Sequence, residues 1–170
     1  SGVDYYCSSG GSGTEAAIGR ADKQVVDGCN AATQLSGDSV RLSGHTVAMA
    51  AIQQADSDGR EATAFWPEIE FGTQYVMTND SQFVAIACSS KYGSVDIEVR
   101  DTLGGVSDSG TCTPSGDNPG ALHLGDPTSP GSTQFTAGHT VVSTNGVPFY
   151  AVYEDSSIDG EETNLLAPVQ

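Results

Sequence analysis

The 170-residue chain carries 22 Asp+Glu against 6 Lys+Arg, a formal net charge of −16 at pH 7, so it repels phosphate backbones and anionic lipid surfaces and nucleic acid is not an expected partner. Hydrophobic residues make up 37% of the chain, enough for cores. The longest apolar stretches, Val47 to Ile52 and Phe83 to Cys88, are far shorter than the ~20 residues of a membrane-spanning helix.

The 21 glycines and 7 prolines, with Ser/Thr/Asp-rich connections, punctuate short β-branched or aromatic runs, which is an all-β pattern. In chain order the predicted strands are Gln24–Val26, Ser39–Leu42, Thr46–Ile52, Ala62–Trp66, Gln74–Met77, Gln82–Cys88, Ser94–Val99, Thr133–Thr136, Thr140–Ser143 and Phe149–Tyr153. Thr14 to Gln24 holds Gly19 and no sustained 3.6-residue period, which speaks against a helix. Ser94–Val99 alternates polar and apolar residues, so one face should be buried; Phe83–Ala87 is apolar throughout and should be a central strand. About 104–131, with four prolines, reads as a long Gly/Pro-rich loop.

These elements occur twice. Cys7-Ser8-Ser9 returns as Cys88-Ser89-Ser90, Cys29 as Cys112, Gly44-His45-Thr46-Val47 as Gly138-His139-Thr140-Val141, and Asp58-Gly59-Arg60-Glu61 as Asp159-Gly160-Glu161-Glu162. The offsets grow in order through 81, 83, 94 and 101 residues, as insertions would make them. A period near one hundred residues is the size of a β-sandwich domain. The expected fold is therefore two tandem β-sandwich modules, jelly-roll or Ig-like, spanning 1–67 and 68–170. The first is reduced, because six residues precede Cys7 whereas twenty lie between Pro67 and Cys88. Its open edge is expected either to be tolerated or to be covered by a neighbouring chain. Ser1 in place of Met fits a removed signal peptide or an excised fragment.

Cys7/Cys29 and Cys88/Cys112 are repeat-equivalent pairs, none within a CxxC or at zinc-ligand spacing from a histidine, so two disulfides are expected. Such bridges place the protein outside the reducing cytosol. Around the repeated turns, Asp56, Asp58 and Glu61 in one copy and Asp155, Asp159 and Glu162 in the other supply hard oxygen ligands for calcium. The bland reading is a solvated hairpin turn, for which Asp-Gly is the favoured dipeptide. His45 and His139 share one context and are expected to be architectural. No Gly-x-Ser-x-Gly or ordered Ser/His/Asp set stands out, and Glu68 and Glu70 lack a substrate-binding aromatic cluster; no enzyme is expected. Phe65, Trp66 and Phe71 are core residues or an exposed aromatic patch, and Asn79-Asp80-Ser81 is an N-glycosylation sequon.

The run Gln54-Ala55-Asp56-Ser57-Asp58-Gly59-Arg60-Glu61-Ala62-Thr63, followed by Phe71-Gly72-Thr73-Gln74-Tyr75-Val76, resembles repeats of large extracellular β-sandwich proteins, and Pro148 to Asp155 looks like the same element in the next repeat. Similar runs occur in phage fibre and appendage proteins. The resemblance implies surface display and carries no catalytic residues. The leading expectation is a secreted structural protein, a subunit of a pilus-like surface filament that self-assembles by strand sharing. The alternatives are a virion appendage or capsid-decoration protein, and a calcium-dependent adhesin or carbohydrate-binding module with a cell-surface or glycan ligand.

Overall fold

The computed structural model describes residues 3–15, 39–43, 52–54, 62–64, 66–126, 132–155, 163–165 and 167–168. Their regular structure is β throughout apart from one 3-10 turn, Glu68–Glu70. Fourteen strands follow in order: β1 Val3–Cys7, β2 Ser12–Glu15, β3 Val40–Ser43, β4 Ile52–Gln54, β5 Ala62–Ala64, β6 Gln74–Val76, β7 Ser81–Cys88, β8 Val95–Arg100, β9 Val106–Cys112, β10 Gly120–Gly125, β11 Thr140–Ser143, β12 Tyr150–Asp155, β13 Thr163–Leu165 and β14 Ala167–Pro168. Every pairing among them is antiparallel.

Two sheets share the main core. One has the order β10-β7-β12-β13 and the other β14-β6-β11-β8-β9. The period-2 alternation of β8 becomes physical here: Val95, Ile97 and Val99 are buried while Asp96 is exposed. They join Val84 and Ile86 of β7, Val141 of β11, Ala151 and Tyr153 of β12, and Tyr75, Met77 and Phe149 in one apolar cluster. Burying a Val, Ile or Phe side chain contributes roughly 1.5–3 kcal/mol, so this cluster dominates the stability of the described part. The apolar run Phe83–Ala87 lies in β7, an interior strand with neighbours on both sides.

The disulfide Cys88–Cys112 ties the end of β7 to the end of β9, across the two sheets, with the Cα atoms 6.0 Å apart. Opposite Cys88 the backbone comes so close that a Cβ on Gly120 would lie 2.5 Å from the Cys88 sulfur, which explains a glycine there. Cys7 is disulfide-bonded and fully buried; its expected mate, Cys29, lies outside the described residues.

A separate three-stranded sheet has the order β2-β1-β3, and β4 and β5 form a hairpin. Their registers parallel those of the larger sheets. Cys7 pairs with Val40 and Tyr5 with Leu42, as Cys88 pairs with Gly120 and Ile86 with Leu122. Ile52 pairs with Ala64 as Val152 does with Leu165. The correspondence ends on the other side of the cysteine strand, where β1 pairs with β2 but β7 pairs with β12.

Within 104–131, where composition points to a loop, the structure has two strands, β9 and β10. Their sequences, VSDSGTC and GALHLG, hide the strand signal because β9 is an edge whose outward residues are exposed. Thr133–Thr136 is no strand: Phe135 makes a single bridge to Ser81 and buries its ring. Residues 14–15 belong to β2, and the expected strands at 24–26 and 46–51 lie outside the described residues.

Candidate functional site

The margins of the two sheets are where a β protein meets other chains, and each margin is closed differently. At the β9–β10 margin the sheets approach closely: a Cβ on Gly110 would lie 3.0 Å from Leu122. There Asp108 accepts from the Gly125 N–H at 2.9 Å through one carboxylate oxygen and from the Ser109 N–H at 2.8 Å through the other. A charged, occupied side chain at an edge discourages strand addition. At the opposite margin one segment serves both sheets. Residues 163–165 pair with β12 of the four-stranded sheet, and 167–168 pair with β6 of the five-stranded sheet.

A second cluster lies between the three-stranded sheet and the main core. The Glu68 carboxylate receives the Arg41 guanidinium of β3 at 2.9 Å and the Ser89 hydroxyl at 2.5 Å, while the Tyr92 hydroxyl donates to the Glu68 carbonyl at 3.1 Å. Arg41 also lies over the Tyr6 ring, 5.5 Å from its centroid. Beside this cluster Tyr150 stacks on Phe71 at 5.8 Å and meets Trp66 at 6.4 Å; all three rings are half-buried. Glu68 is thus engaged in a clasp, and Glu70 is exposed.

His139 forms the third cluster. It is buried, and its Nδ1 lies 2.9 Å from the Thr136 carbonyl, which can only accept. The Thr136 hydroxyl lies 3.2 Å from the same nitrogen; with the proton on Nδ1, where the carbonyl can accept it, the Nε2 lone pair faces the Ser107 hydroxyl at 3.3 Å. Ser107 is the extra residue of a β-bulge in β9, since Val99 pairs with Asp108 and Arg100 with Val106. Asp101, on the β8–β9 turn near this cluster in sequence, accepts from the Leu103 and Gly105 N–H groups at 2.8 Å each. Those donors, Gly105 first, hold its carboxyl below the ordinary value.

The expected calcium ligands Asp56, Asp58, Glu61, Asp159 and Glu162 lie outside the described residues, as does the side chain of Asp155, whose backbone ends β12. Among the described residues no group of three or more His, Cys, Asp or Glu is placed to hold a metal ion. Asn79 is exposed in the turn before β7, whereas Ser81 of its sequon is fully buried and donates to the Phe83 carbonyl. His123 lies in β10 against Phe83, and burial pushes its pKa down. Among the described residues no helix is long and apolar enough to cross a membrane. Ser107 escapes sequence reasoning because it lies 32 residues from His139, and only the bulge and the β8–β9 hairpin bring them together. Comparison with known proteins returns no matching family model, no similar curated protein and no matching solved structure.

Proposed function

We propose that the chain is a secreted structural protein of two tandem β-sandwich modules, the first reduced, and a subunit of a surface filament assembled by strand sharing. The observation that carries this reading is the two short strands near the end of the chain: 163–165 pair with β12 in one sheet, and 167–168 pair with β6 in the other. A segment that completes both sheets from within one chain makes the same hydrogen bonds when a second copy supplies it, so exchange costs little beyond association entropy. The paired registers of Cys7 with Val40 and Cys88 with Gly120 support the tandem organisation. Disulfide bonding at Cys7, Cys88 and Cys112 supports an extracellular location over a reducing one.

The test is negative-stain electron microscopy with light scattering on non-reduced protein, beside a variant carrying Val152→Cys and Leu165→Cys, positions paired across β12 and β13. Filaments from the parent and none from the locked variant are expected. A monodisperse monomer from the parent at every concentration would sink the proposal.

A second reading rests on the half-buried trio Trp66, Phe71 and Tyr150, which offers ring faces of the kind sugars stack on: a carbohydrate-binding surface module. Glycan-array binding that is lost on Trp66→Ala and retained in the locked variant would favour it.

A further inference from the structure

We propose that Ser107 and His139 form a nucleophilic dyad that takes acyl groups from activated aryl esters. The nucleophile is solvent-exposed and the base is buried beside it. The base's second nitrogen lies 2.9 Å from the Thr136 carbonyl and 3.2 Å from the Thr136 hydroxyl, and the tautomer protonated there supplies nucleophile, base and orienting group together. The 3.3 Å separation of Ser107 Oγ and His139 Nε2 is within what free enzymes show before substrate draws the pair together. The bulge explains why Ser107 points toward the histidine: the extra residue re-aims its side chain.

In the acylation step Ser107 Oγ attacks the ester carbonyl carbon while its proton passes to His139 Nε2. The intermediate collapses by breaking the bond to the aryl oxygen, and the phenol leaves with the proton from His139. Water, deprotonated by the same nitrogen, then attacks the acyl-serine, releasing the carboxylic acid and restoring both side chains. Ester and water thus give acid and phenol.

The surrounding backbone restricts the substrate class. The N–H groups of Leu103 and Gly105 are given to the Asp101 carboxylate, that of Gly104 to the Asp101 carbonyl, that of Gly138 to Met77 and that of His139 to Thr136. None of these five is spare to stabilise an oxyanion. Esters with a good leaving group need that stabilisation least, whereas peptides and alkyl esters need it most. The dyad belongs to one copy only: His45 keeps the Gly-His-Thr-Val context, but counting back by the 83-residue offset of Cys112 from Cys29 puts Gln24 where Ser107 stands.

The experiment is rapid mixing with para-nitrophenyl acetate, followed by peptide mapping of the acetyl group. The expected result is one equivalent of nitrophenol released in a burst and one acetyl group on Ser107. Ser107→Ala, a surface change, should abolish both. The role of the base is read by comparing His139→Gln with His45→Gln. The first should slow acylation by about 100-fold or more, and the second should leave it unchanged. No burst, a burst that survives Ser107→Ala, or acetyl groups on Lys91 or a tyrosine would overturn the proposal. If His139→Gln fails to fold, Ser107→Ala and the map decide it alone. The dyad stands apart from filament assembly, so failure of one leaves the other intact.

Discussion

The Tyr75 hydroxyl donates to the Phe149 carbonyl and accepts from the Gly72 N–H at 2.7 Å. Tyr75 and Phe149 are 74 residues apart in sequence, and their rings meet edge to face at 4.9 Å. One phenol thereby ties β6 of the five-stranded sheet to the entrance of β12 in the other, and burial raises its pKa. Tyr75→Phe keeps the ring and strands the buried Phe149 carbonyl and the part-buried Gly72 N–H. It should cost about 1–3 kcal/mol, measured by denaturant unfolding; an unchanged midpoint would mean that water replaces the hydroxyl.

Asp108 should protect the β9–β10 margin. Asp108→Ala removes the acceptor of the Gly125 and Ser109 N–H groups, and both strand edges lose their charged guard. The expected outcome is about 1–2 kcal/mol lower stability together with a larger aggregated fraction in light scattering. Asp108→Asn, which retains one acceptor oxygen, should fall between the two.

His123 should make the fold acid-sensitive. Burial lowers its pKa from 6.5, so the unfolded chain binds the proton more readily than the folded one. The contribution is absent well above 6.5, destabilises as pH falls through that value, and levels off below the folded pKa. His123→Leu should flatten this part of a melting-temperature profile. A slope identical in parent and variant would assign it to other groups.

Glu68 should hold the three-stranded sheet to the larger one. Glu68→Ala removes the acceptor of both Arg41 and Ser89. The side chains of Arg41 and Glu68 are only 26% and 24% exposed, so the variant leaves a part-buried guanidinium without its carboxylate. Hydrogen exchange should therefore quicken across 3–7 and 40–43 while β7 and β8 stay protected. Uniform change across the chain would indicate global loss of stability instead.

The amino-acid order alone determined the all-β class and the interior strands β7 and β8. Those signals are local: β8 alternates, β7 is apolar throughout, and cysteines, Gly-His-Thr-Val and Asp-Gly turns recur at ordered offsets. β9 and β10 were not legible, because an edge strand with an exposed face needs no apolar alternation and is held by its neighbour β8 and the Cys88–Cys112 bridge. Only the tertiary structure decided that Glu68 is a clasp, that 163–165 and 167–168 serve two different sheets, and that Ser107 meets His139. Each of these joins residues distant in the chain, and such contacts depend on register, a bulge and the approach of two sheets, none of which leaves a periodic trace in sequence.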